Sequence, residues 1–246
     1  MAAKRLRIIA GPNGSGKTTL YFFLKGKIST GIWLNADEIL EHFSKKGFIE
    51  YLLLGFVPTQ KSFTAFCNLA SSQKFIKQFY LQTGINKLGF GDFSITYADK
   101  FLTNELAAFL TDFFRHYLLK EGHSFTTETV LSHPSKLALV KSAVKKKYKT
   151  YLYFIATQSP EINVRRIKSR IYKGGHAVPK EKVESRYLKS ILLLKKSIRV
   201  FDRVFIFDNS GMEMQLIASY SNSKIEAVYT DKIPQWLDFL SLKNSD

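Results

Sequence analysis

Gly11, Gly16, Lys17 and Thr18 occupy the defining positions of the pattern G-x-x-x-x-G-K-[ST], within AGPNGSGKTT at residues 10–19. Glycine reaches backbone conformations closed to other residues, so successive N–H groups can turn inward on an anion. A helix after such a loop adds free N–H donors and the positive end of its dipole. Lys17 then reaches the β- and γ-phosphates of a nucleoside triphosphate, and the Thr18 hydroxyl takes Mg²⁺. Pro12, Asn13, Gly14, Ser15 and Thr19 complete the expected nucleotide-binding loop. The pattern needs a strand before it and a helix after it; Arg5–Ala10 and Lys17–Lys25 fit both.

Two carboxylates stand at the ends of apolar runs. Asp37, in NADEI (35–39), is placed to orient an acceptor hydroxyl and take its proton. It is equally suited to cap the helix that follows, and the two roles are compatible. Glu128, in FTTETVLS (125–132), is a candidate ligand for metal or substrate, or a structural carboxylate at a strand end. Thr129 and Ser132 could bond substrate hydroxyls, and Ser132 also suits a helix cap.

RRIKSRIYKGGHAVPKEKVESRY (165–187) carries cations on two helical arms. Arg166 and Arg170 are one turn apart and share a face. Gly174 and Gly175 break the helix, Pro179 opens the next one, and Arg186 follows within it. One reading is an ordinary basic hairpin. The other, which the phosphate loop favours, is a lid over 170–186 that brings guanidinium groups to a transferring phosphoryl group. His176 reads as a residue shaping the turn.

Strands are expected at Arg5–Ala10, Gly31–Asn35, Ser124–Thr127, Thr150–Thr157 and Arg203–Phe207. Helices are expected at Lys17–Lys25, Ala36–Ser44, Thr103–Lys120, Pro134–Tyr148, Pro160–Tyr172, Lys180–Arg199 and Pro234–Leu242. This alternation predicts an α/β fold with a mostly parallel five-stranded sheet covered on both sides, a three-layer sandwich. Ligands gather at the carboxyl ends of such strands, where the loop at Gly11, Asp37 and Glu128 all fall. Residues 45–102 break the rhythm and are rich in Phe, Tyr and Leu. They read as a helical insertion within a single domain of residues 1–246, either a roof for the substrate or a decoration that extends the core. A small hairpin, Met214–Tyr220 and Lys224–Tyr229, is expected after Gly211.

The composition sets the class. Hydrophobic residues make up 45% of 246, enough for a substantial core. Cys67 is the sole cysteine, so no intrachain disulfide forms and a reducing cytoplasm is expected. No run is long and apolar enough for a membrane span, and the first residues do not read as a signal peptide. The net charge is +17; residues 133–199 hold 18 Lys+Arg against 3 Asp+Glu. That stretch is either a solvated basic surface or an electropositive face for phosphates or nucleic acid. No His/Cys cluster suggests zinc.

AGPNGSGKTT, NADEI, TTETVLS, RIYKGGHAVPKEKVESRY and FDNSG together resemble the zeta-toxin-like P-loop kinases, over Lys4–His42 and Thr103 to about Ser219. The resemblance implies a nucleotide-kinase-like P-loop fold and an ATP/Mg²⁺-dependent transfer to a hydroxyl of a small molecule, such as the sugar 3′-hydroxyl of UDP-N-acetylglucosamine. It implies that Lys17 and Thr18 bind phosphate and Mg²⁺ and that Asp37 is the base. It places Glu128 in the acceptor site, Arg170 and Arg186 on the γ-phosphate, and Asp208 and Asn209 near the nucleotide. Two other readings stand beside it. One is a polynucleotide 5′-kinase, disfavoured because the aromatic residues that would stack bases lie away from the basic segment in sequence. The other is a nucleotide-dependent module without turnover that binds an antitoxin protein.

Overall fold

A computed structural model describes residues 3–99, 102–172 and 178–242. Along the chain come β1 (Arg5–Ala10), α1 (Lys17–Lys25), β2 (Ile32–Leu34) and α2 (Ala36–Lys46). Short pieces follow: β3 (Phe48–Glu50), α3 (Tyr51–Leu54), α4 (Gln60–Cys67), α5 (Ala70–Gln78), α6 (Gln82–Ile85), β4 (Leu88–Phe90) and β5 (Ser94–Tyr97). Then come α7 (Asn104–Glu121), β6 (Phe125–Thr129), a 3₁₀ turn (Pro134–Lys136), α8 (Leu137–Lys145) and β7 (Lys149–Ala156). The chain continues with α9 (Pro160–Tyr172), α10 (Lys180–Ile198), β8 (Arg203–Asp208), β9 (Gln215–Ser221), β10 (Lys224–Val228) and a 3₁₀ helix (Gln235–Leu240). Gly174, Gly175 and His176, the expected hinge of the lid, lie outside the described residues.

The chain divides into two compact units, Met1–Thr30 with Glu128–Asp246, and Gly31–Thr127. The first is built on strands in the order β10-β9-β8-β7-β1. β1, β7 and β8 run parallel, while β9 and β10 are antiparallel additions. The expected tail hairpin is therefore part of the sheet, because β9 pairs with β8 along its length. Leu6, Leu152, Val204 and Ile206 are fully sequestered on these strands. Burial of such side chains stabilises by roughly 1.5–3 kcal/mol each.

The second unit pairs β2 with β6 in parallel, Leu34 opposite Thr127, and forms a separate sheet β3-β5-β4. Its core is a cluster of rings. Phe109 and Phe113 of α7, four residues apart on one face, meet Phe63 and Phe66 of α4 at centroid distances of 5.0–6.2 Å. Phe90 adds to it 5.0 Å from Phe63. The residues of the insertion thus share a hydrophobic core with α7. Charge divides the units as sharply as packing does: residues 31–127 hold nine Lys+Arg and nine Asp+Glu, so the entire formal +17 belongs to the other unit. No helix among the described residues is long and apolar enough to cross a membrane.

Candidate active site

β1 ends at Ala10 and the chain turns through residues 11–16 into α1. Gly11 takes φ 149°, and a Cβ there would strike the Ile155 carbonyl oxygen. Gly16 caps α1 at φ 100°, and a Cβ there would strike Asn209 Nδ2. Gly11 meets backbone and so excludes a side chain by space as well as conformation, whereas Gly16 meets a side-chain amide and is required chiefly by its positive φ. α1 starts with no side-chain cap, which leaves its N-terminal N–H groups directed at the loop.

Lys17, 7% exposed, donates from Nζ to the Pro12 carbonyl at 2.9 Å. The same ammonium lies 3.6 Å from Glu128 Oε1. Thr18 Oγ1 donates to Glu128 Oε2 at 3.2 Å. Residues 110 positions apart are thereby joined at the carboxyl end of β6. Arg186 of α10 donates to Asn13 Oδ1 at 3.3 Å, and burial lowers its guanidinium pKa from the ordinary value. Tyr187 beside it donates to the Thr157 carbonyl at 2.7 Å, which fixes this turn of α10 against the end of β7.

The loop after β8 braces the phosphate loop. Asn209 Nδ2 donates to the Ser15 carbonyl at 2.8 Å, and the Asn209 N–H donates to the Ala156 carbonyl at 2.8 Å. The Asp208 carboxylate accepts from Trp236 Nε1 at 2.7 Å and from Ser210 through both its hydroxyl and its N–H. Asp208 thus anchors the 3₁₀ helix, while Asn209 faces the loop.

Arg170 is exposed on the last turn of α9. Thr19 is exposed on the first turn of α1. Thr129 Oγ1 accepts from the Leu131 N–H in a local turn, and His133 rather than Ser132 caps the next element. In the other unit the cap of α2 is Asn35, whose Oδ1 accepts from the Asp37 N–H at 2.9 Å. Asp37 therefore sits inside the first turn, exposed, and its carboxylate is not the cap.

Two polar atoms at the loop, Ser15 Oγ and Asn163 Nδ2, are buried without a hydrogen-bond partner, as is Arg166 Nη1 one turn along α9 from Asn163. Such atoms cost free energy unless a ligand satisfies them. Arg166 Nη2 reaches the Gly211 carbonyl, and a Cβ on Gly14 would lie 2.7 Å from the Asn163 carbonyl oxygen. This set fits a polyphosphate. Oxygen donors at Thr18 and Glu128 suit a hard divalent cation such as Mg²⁺. Asn163 was not singled out by motif, yet its spacing carries a signal: it lies four residues before buried Ile167, on the inward stripe of α9. Arg115 is similar. It lies on the buried stripe of α7, and its Nε donates to Thr127 Oγ1 at 2.7 Å, which in turn donates to the Leu34 carbonyl.

The family model for zeta toxin matches residues 97–219, half of the chain. The chain belongs to the zeta toxin family. The phosphate loop lies before the matched span and stands on its own geometry. A protein of Haemophilus influenzae described as uncharacterized is 33% identical over 72 residues, 29% of this chain and 51% of that one. Among solved structures, the complex of AvrRxo1-ORF1 with AvrRxo1-ORF2 and sulphate ions is similar at a TM-score of 0.56 and 15% identity. The ATP-containing form of that complex is similar at 0.53 and 16%. Each comparison covers 98% of this chain and 63% of the other. The chain thus matches about half the length of the curated relative and under two thirds of the solved ones. These likenesses support the α/β P-loop kinase fold with a mostly parallel sheet.

Proposed function

We propose that this zeta-toxin family member transfers a phosphoryl group from ATP to a hydroxyl of a small molecule. A sugar nucleotide such as UDP-N-acetylglucosamine is the proposed acceptor. The observation that carries the reading is Glu128 held against both Lys17 and Thr18, beneath a loop with a buried, unsatisfied Ser15 hydroxyl. The presence of ATP in a similar solved structure supports it.

In this reading residues 11–19 bind the triphosphate through backbone N–H groups and Ser15. Lys17 exchanges the Pro12 carbonyl for phosphate oxygens. Thr18 and Glu128 hold Mg²⁺, which neutralises phosphate charge when bound. Arg186 and Arg170 approach the γ-phosphoryl group, where charge spreads in the transition state. Asp37 orients the acceptor hydroxyl and takes its proton. Asn209 holds the loop in shape, and Asp208 ties the adjoining end of β8 to Ser210 and Trp236. The proposal places the chain in the cytoplasm, with residues 1–246 acting as one kinase domain. By analogy with the AvrRxo1-ORF1:ORF2 complex, it includes an inhibitory protein partner.

The test is an ATP-consumption assay with a sugar nucleotide and an oligonucleotide as rival acceptors at one salt concentration. Lys17→Ala is expected to lower kcat/KM by about 10²–10³ or more. Asp37→Asn is expected to keep ATP affinity and lower kcat by about 10²–10⁴. Wild-type turnover by Asp37→Asn would remove the base from the mechanism, and phosphorylation of the oligonucleotide alone would replace the acceptor.

A further inference from the structure

Part of the first unit's excess of cations stands at the end of its sheet farthest from the phosphate loop. β1 enters at Arg5, whose register partner on β7 is Lys149. Tyr151 of β7 pairs with Arg203 of β8, and Arg203 pairs with Ser221, the partner of Lys224 across the β9–β10 turn. Five strands spaced about 4.8 Å apart make this edge about 19 Å long. α8 ends beside it at Lys145, and α10 ends beside it at Ile198, whose carbonyl accepts from Ser223.

Lys145, Lys146, Lys147, Lys195, Lys196 and Arg199 are all exposed there. Among the described residues none of them forms an ion pair. The carboxylates in this part of the sheet are taken by partners other than these six. Asp202 accepts from the Thr150 N–H and hydroxyl, and Glu226 accepts from Arg203 and Ser219. Helix dipoles favour cations at the ends of α8 and α10 but do not account for a third consecutive lysine. Lys147 moreover holds φ 61°, at a helix exit where glycine is the usual occupant.

We propose that this amino-terminal sheet edge is a docking surface for the phosphate backbone of double-stranded nucleic acid. The exposed cations at Lys145, Lys146, Lys147, Lys195, Lys196 and Arg199 complement a polyanion with one charge per about 3.4 Å on each strand. Of the rings at this edge, Tyr148 and Phe201 are each 3% exposed, and half-buried Tyr151 is covered by the Arg7 guanidinium 5.3 Å from its centroid. They offer no open platform for unstacked bases, which directs the surface to a duplex rather than a single strand. Recognition is through phosphate and is indifferent to sequence. The inference does not depend on the proposed chemistry at Lys17, from which it is separated by the length of β1.

The test measures binding of labelled 20-base-pair DNA and RNA duplexes by anisotropy between 50 and 200 mM salt. The expected slope of log K against log salt is about −3 to −5, corresponding to roughly four or five displaced counterions. Lys145→Glu/Lys146→Glu/Lys147→Glu should weaken binding at least about tenfold at 100 mM salt and flatten the slope by about two or three. Lys195→Glu/Lys196→Glu should act in the same direction and serves if the triple variant does not fold. Lys61→Glu/Lys74→Glu/Lys77→Glu makes the same change in net charge on the neutral unit and should alter affinity less than about twofold. Phosphoryl transfer by the α8 variant should equal the wild-type rate. Equal weakening by the two triple variants overturns the proposal, because net charge rather than this edge would be responsible. So does binding to vesicles containing phosphatidylserine with no binding to either duplex.

Discussion

Glu128 serves two groups at once, the Lys17 ammonium and the Thr18 hydroxyl. Glu128→Gln keeps the shape and removes the charge. In the proposed mechanism it should lower kcat by about 10²–10³ and raise the Mg²⁺ concentration needed for half-maximal rate, read by titration at fixed ATP. Gly16 tests the loop from its other side. Gly16→Ala drives a methyl group into Asn209 Nδ2 and should abolish nucleotide binding. Pairing it with Asn209→Ala removes the collision but also the bond to the Ser15 carbonyl, so calorimetry should show only partial recovery. Asn209→Ala alone is expected to cost about 1 kcal/mol of stability.

The elements were legible where glycine and proline punctuate the chain. Lys17–Lys25 and Pro160–Tyr172 form helices with the expected bounds, set by Gly16 and Gly26 for one and opened by Pro160 for the other. β1 likewise ends where Gly11 begins the turn. The expected helix from Pro134 starts instead as a 3₁₀ turn and becomes α-helical only at Leu137, with His133 as its cap. Residues 45–102 were opaque, because their three- to nine-residue pieces are held by rings on α7 rather than by local periodicity. The loop was readable from its motif. The bonds that hold it were not: Asn209 to Ser15 and Asp208 to Trp236 join residues 194 and 28 positions apart. At this scale Phe113→Ala is the informative change. Phe113 is 1% exposed and touches rings from α4 and β4, so its loss should cost about 3–5 kcal/mol, measured by denaturant unfolding.

The whole molecule has an alkaline limit written into its core. Burial pushes Tyr148, Tyr187 and Tyr220 up to about 12 from the ordinary 10.0. The folded state holds these protons more tightly than the unfolded chain. Their contribution to stability is therefore complete below pH 10 and is lost as pH rises towards 12. Thermal melts should be level in this respect up to pH 10 and fall between 10 and 12, with Tyr187→Phe reducing the fall.

Trp33 and Trp236 are the two indoles of the chain, one in each unit. Trp33 donates to Glu38 within its own unit, whereas Trp236 donates to Asp208, the neighbour of the residue that grips Ser15. The second unit can be silenced optically by Trp33→Phe. What then remains is a native fluorophore linked to the loop at Ser15 through two hydrogen bonds, so that, in the proposed mechanism, emission from an unlabelled protein should change as ATP binds and leaves.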